Sequence, residues 1–109
     1  MTDLKRLMHT VVFWFRVDAP PGTAAEMAIF YQQKIAQVTG VEQVFVGPPA
    51  GTDRDVVDNT CQWMSSVVFE SEAVATAWQT DPVHDEFRER FGPAFERVVV
   101  YDTIEAQGV

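Results

Sequence analysis

The chain is poor in the residues by which catalytic machinery is usually recognised. It has one cysteine, Cys61, and two histidines, His9 and His84. A single cysteine cannot form an internal disulfide, and no basic neighbour adjoins Cys61 to favour its thiolate, so an inert thiol is expected. Two histidines among scattered acids give no metal-ligand spacing, and no glycine-rich phosphate loop occurs, so neither a metal nor a nucleotide cofactor is expected. Basic residues are also scarce: eight against sixteen acids, for a net charge of -8. That balance repels phosphate backbones and anionic headgroups, which argues against nucleic acid and membrane surfaces as partners. No apolar run approaches the ~20 residues of a membrane helix. Residues 1–8 carry Asp3, Lys5 and Arg6 and lack the apolar centre of a signal peptide. A reduced, soluble, cytoplasmic protein is the expectation.

What the chain does have is apolar patterning. Its 109 residues are 47% hydrophobic, enough for one compact domain over residues 1–109, with a core from about 7 to 104. The central stretch is Met8–Phe15. Read with a period of two, His9, Val11, Phe13 and Phe15 share one face and Met8, Thr10, Val12 and Trp14 the other. Neither face is polar, so this reads as a strand in the middle of a sheet.

Past the turn at Asp18–Gly22, Thr23 and Glu26 have the spacing of a capping box, and a helix is expected to run to about Val38. Met27, Phe30, Ile35 and Val38 recur at helical spacing, with Tyr31 and Lys34 at the edges of that stripe and Gly40 as the left-handed stop. Val41–Val46 reads as a second strand, Asp53–Asn59 as an exposed acidic loop, and Cys61–Phe69 as a third strand. Ser71 can cap a second helix through Trp78, and Asp81-Pro82 a short third one carrying His84, Phe87 and Phe91. Val98–Tyr101 forms the last strand, and the tail after Ile104 is expected to be disordered.

The order of strands and helices predicts an α+β, ferredoxin-like βαββαβ fold: a four-stranded antiparallel sheet with its helices on one face. The other face, made by Val12, Trp14, Met64, Val68, Val99 and Tyr101, has no cover within the chain. Burying six such side chains is worth on the order of 10 kcal/mol before association costs. A homodimer with two sheets face to face is therefore expected.

Five segments carry a resemblance: His9–Phe15, Val46-Gly47, Phe69–Ser71, Asp81–Phe87 and Val98–Asp102. In this order and spacing they resemble the stress-responsive dimeric α/β-barrel domain family. The resemblance implies a ferredoxin-like protomer, a dimeric α/β barrel and a pocket between each sheet and its helices. Members include plant stress proteins and a plant polyketide cyclase that makes olivetolic acid. Both histidines fall where the cyclase-like members carry histidine, while Trp63 and Trp78 stand where the cyclase has a pocket histidine and a helix tyrosine. An indole donates a hydrogen bond but has no phenolic proton to offer, which puts the same cyclisation in question.

The residues themselves supply roles. His9 shares the helix-facing side with Val11 and Phe13, where partial desolvation favours the neutral imidazole. His84 lies in the first turn of its helix, whose positive end also disfavours the cation, so it reads as a general base. Asp102 can reach His9 if the last strand pairs beside the first. Three readings follow. One is a small apolar or aromatic molecule bound or transformed among Val11, Phe13, Phe30, Trp63, Trp78 and Phe87, with His84 and His9 handling protons. Another is a non-catalytic stress or structural dimer. The last is a cofactor-free oxygenase or haem-linked relative, by analogy of fold. Whether the protein is an enzyme is left open by the sequence.

Overall fold

A computed structural model describes residues 5–106. Strand β1 spans Leu7–Phe15, helix α1 Thr23–Gln33, β2 Val41–Gly47, β3 Trp63–Phe69, α2 Glu72–Trp78, α3 Pro82–Phe91 and β4 Phe95–Ile104. The strands form one antiparallel sheet in the order β2-β3-β1-β4, so β1 is internal, between β3 and β4. The fold is α+β and ferredoxin-like, and the helices lie on one face.

The helix starts follow side-chain chemistry in two cases of three. Ser71 Oγ accepts from the Val74 amide at 3.2 Å and Asp81 Oδ1 from the Val83 amide at 2.8 Å, each satisfying an open amide of a helix start. Pro82 at the first position of α3 gives up no hydrogen bond that a helix would make there. The capping box expected at Thr23 does not form. Gly22, at φ 85°, is the residue before α1, and the Thr23 hydroxyl turns back to donate to the Pro20 carbonyl at 2.6 Å.

Helix α1 also ends earlier than its periodicity suggests, at Gln33. A short 3-10 turn over Ile35–Gln37 follows, tightening the chain so that Ile35 is fully buried. Gly40 (φ 90°) then reverses the direction into β2. A Cβ there would sit 2.5 Å from Val74 Cγ1, so this glycine also lets α2 close onto the turn.

The last strand is longer than expected, ten residues instead of four. Its pairing with β1 runs from Leu7 opposite Ile104 to Trp14 opposite Arg97, then shifts so that Phe15 faces Phe95. Glu96 is the extra residue of this bulge. The shift changes the phase of the strand, and Phe95 joins the helix side, 4.7 Å from Phe13 between ring centroids. At the opposite end, Glu105 is held to Arg6 by its amide (2.9 Å to the carbonyl) and by its carboxylate (2.7 Å to the guanidinium). The disorder expected after Ile104 therefore does not begin at once, and residues 107–109 lie outside the described part.

The helix-side core is built on Phe13, Met27, Phe30, Val67, Phe69 and Phe91, all buried. On the opposite face Phe45 is 72% and Tyr101 62% exposed, with Met8 and Met64 also open. Of the six residues expected to be uncovered there, Met64 and Tyr101 are exposed, Val12, Trp14 and Val99 are partly covered and Val68 is buried. Val68 is buried within one chain, because it sits on an inner strand flanked in register by Met8 and Gln43. Trp14 is half-covered: Arg97 lies over its ring at 4.6 Å, and its indole donates to Thr60 Oγ1 at 2.9 Å.

Candidate active site

Antiparallel pairing places His9 of β1 directly opposite Asp102 of β4. Both side chains point to the helix side, and His9 Nδ1 lies 2.6 Å from Asp102 Oδ1. The imidazole is only 19% exposed and makes an edge contact with Phe69, with centroids 6.2 Å apart. A carboxylate on Nδ1 fixes the ring's orientation and, in the neutral tautomer, keeps the proton on that nitrogen and makes Nε2 the acceptor.

His84 reaches the same space from above. It is the third residue of α3, which the Asp81 cap and Pro82 start with its first turn over the sheet. Its ring stands edge-on to Trp78, the last residue of α2, with centroids 5.0 Å apart. Nδ1 is buried without a hydrogen-bond partner. Burial holds the pKa of His84 below its ordinary value, and the nearby Arg88 charge adds to this; Asp85 and the Gln79 carbonyl pull the other way. The imidazole is therefore neutral at physiological pH.

Both histidines line one cavity of about 740 Å³ between the sheet and α3. Its floor is Val11 and Phe13 of β1 with Val98 and Val100 of β4; Phe87 and Trp78 form the helix side. Six of the residues named from the sequence thus meet here: His9, Val11, Phe13, Trp78, His84 and Phe87. Phe30 and Trp63 do not. Phe30 is packed behind Phe87, 5.7 Å away, and Trp63 sits on β3, across β1 from the cavity's β4 wall. Both are buried core residues.

Phe95 and Tyr31 also stand in the wall, though neither was expected at the cavity. Phe95 enters through the bulge. Tyr31, read from the sequence as a helix-edge residue, is almost wholly buried, and its hydroxyl donates to Ser65 Oγ at 2.9 Å. Burial raises its pKa well above the ordinary phenol range, with the Ser65 bond opposing only in part, so it remains a neutral phenol. The only signal in the sequence was the coincidence of a tyrosine on the apolar stripe of α1 with Ser65 on the inward side of β3.

The cavity is thus an aromatic-walled space with two imidazoles and a phenol around it. Among the described residues no group of three or more His, Cys, Asp or Glu side chains is placed to hold a metal ion. No described helix is long and apolar enough to cross a membrane.

A ferredoxin-like sheet with a cavity beneath its helices defines the broad class. The particular family follows from sequence: residues 7–105 match the Stress Responsive A/B Barrel Domain, and the chain belongs to that family. No curated protein is similar enough in sequence to match. Among solved structures, the hydroxynitrile lyase of Passiflora edulis is similar with a TM-score of 0.80 at 17% identity, over 96% of this chain and 97% of that one. A dimeric ferredoxin-like protein of unknown function from Thermobifida fusca gives 0.78 at 13% identity, over 94% and 93%. A ferredoxin-like member of the same family from Mesorhizobium loti gives 0.73 at 18% identity, over 94% and 98%. At these identities the likeness is one of fold.

Proposed function

We propose that this protein is a homodimer that binds, and chemically transforms, a small apolar or aromatic molecule in the cavity between its sheet and helices. The observation that carries this reading is that His9 and His84 face one 740 Å³ cavity, with His9 already oriented by Asp102 at 2.6 Å. A structural pair of histidines would satisfy its ring nitrogens within the protein. Here the free Nε2 of His9 and the neutral ring of His84 adjoin space large enough for a ligand. In this role His9, held by Asp102, accepts a proton from the bound molecule, and His84 takes or returns a second one. The aromatic walls exclude water and hold a flat substrate against both rings.

The dimer forms through the open sheet face, with Val12, Met64, Val99 and Tyr101 at its centre. The dimeric state named for the Thermobifida fusca structure and the exposure of Tyr101 and Phe45 support this arrangement. Those exposed rings also support a second reading, in which dimer formation is the whole activity.

The test is a titration of ¹⁵N-histidine-labelled protein with a panel of aromatic aldehydes, ketones and acids, followed by turnover assays on whatever binds. The proposal expects ligands that shift both histidine signals, and a loss of turnover of roughly 10²-fold in His84→Gln with the dimer intact. Turnover unchanged in that variant removes His84 from the chemistry. A panel that moves neither histidine leaves the structural dimer.

A further inference from the structure

Among the described residues, the cavity wall has one cation that no carboxylate or aromatic ring engages. Arg88 lies one helical turn beyond His84, on the same side of α3 as His84, Phe87 and Phe91. Spacing of this kind puts an apolar residue at position 88 in a helix that simply covers a sheet. An arginine stands there instead, and it lines the cavity beside His84.

The other cations near aromatic or acidic groups are committed. Arg6 is paired with Glu105, Arg16 with Asp18 and Lys34 with Glu86. Arg90 lies over Phe91 and Arg97 over Trp14. Arg97 also borders the cavity, but Trp14 is on the opposite face of the sheet, so its guanidinium is turned away from the space. Among the described residues Arg88 has neither a carboxylate within 4.0 Å nor an aromatic ring beneath it. Asp85, three residues before it, and Glu89, next in sequence, also line the cavity and make its mouth acidic. Any preference for a negative ligand must therefore come from Arg88, against the acids around it and a chain charge of -8.

We propose that Arg88 is a specificity residue that selects an anionic form of the ligand: an aromatic or alkyl carboxylate whose apolar body lies along Phe13 and Phe87 and whose carboxylate meets the Arg88 guanidinium beside His84. This rests on the cavity being a ligand site, as argued above, and adds the charge of what enters it. Guanidinium and carboxylate match as a planar, two-point pair, which an amide of the same shape cannot reproduce.

The experiment compares 2-naphthoate with 2-naphthamide, two bodies of nearly equal size that differ in charge. Binding is measured by calorimetry, with the two histidine signals followed in parallel. The wild-type chain is expected to bind the acid about tenfold more tightly than the amide, the size of effect a charge-assisted bond gives at a partly open site. In Arg88→Gln that ratio falls to about one or reverses, and Arg88→Lys recovers part of it. Arg88 is exposed and makes no ion pair among the described residues, so both variants should keep the wild-type melting temperature. An acid that binds no better than the amide, or a preference that survives Arg88→Gln, overturns the proposal. If both probes bind equally and shift His9 and His84, the ligand site stands and only the charge preference falls. If neither probe binds, both fall together.

Discussion

The two faces of the sheet are made from the same strands and end in opposite conditions. Along β1, His9, Val11 and Phe13 look toward the helices, while Met8, Thr10 and Val12 look away. On the helix side polar atoms are rationed and mostly held, as His9 is by Asp102 and Tyr31 by Ser65. On the other side large apolar groups such as Tyr101 and Phe45 are left open by the chain. The helix cover is itself incomplete. It spans β2, β3 and β1 but thins out over the edge strand β4, where Val98 and Val100 are 44% and 47% exposed although they face the helix side. The cavity exists because that strand has a wall opposite it, α3, and nothing filling the gap between. One face thus folds the protein and frames a cavity; the other is left open by the chain.

This contrast can be broken at its strongest point first. Phe69 has no exposed surface, and Phe69→Ala should cost about 3 to 5 kcal/mol by urea denaturation, whereas an alanine at Phe45 on the open face should cost well under that in a monomeric reference state. Equal costs at the two positions would mean that the faces are not different in kind. Next comes association. Met64→Asp combined with Tyr101→Asp should weaken the dimer by roughly thirtyfold or more while leaving the circular dichroism unchanged, as light scattering over a concentration series would record. A dimer that persists unaltered places the contact elsewhere.

The smallest effect is a pH dependence confined to the helix side. His84 is held below its ordinary value of about 6.5 by burial and by Arg88, so on acidification the unfolded chain takes up this proton first. Stability from this group is fully present above about 6.5 and declines as the pH falls from there toward the lower folded value. Urea midpoints between pH 8 and 5 should show this decline in the wild type and less of it in His84→Phe. An identical profile in the variant would show that His84 titrates as if unfolded.

Much of the architecture could be read from the chain because its signals are local or strictly alternating. The period of β1 identified the two faces, Ser71 and Asp81 announced their helices, and antiparallel geometry alone put Asp102 within reach of His9. What failed depended on information that no window carries. Parity tells which face a residue is on, but not where on that face the helices leave a gap, and so Trp63 and Phe30 were expected at the cavity but belong to the core behind it. The Thr23 capping box lost to Gly22, whose left-handed backbone closed the turn first. Trp14 was counted as uncovered because its cover comes from Thr60, 46 residues away in sequence. Tyr31 and Phe95 were missed for the same class of reason: one needs a partner on another element, the other a break in the alternation.

That break ties chemistry to strand register at a single residue. If β4 instead paired with strict alternation through Glu96, that carboxylate would fall opposite Phe15 on the helix side, and Phe95 would swing to the side now occupied by Arg97. Flattening one irregularity of the backbone would here exchange an aromatic wall beside Phe13 for a carboxylate. Descendants of this sequence are therefore free to vary the acidic loop, but at the start of β4 they must keep Phe95 opposite Phe15.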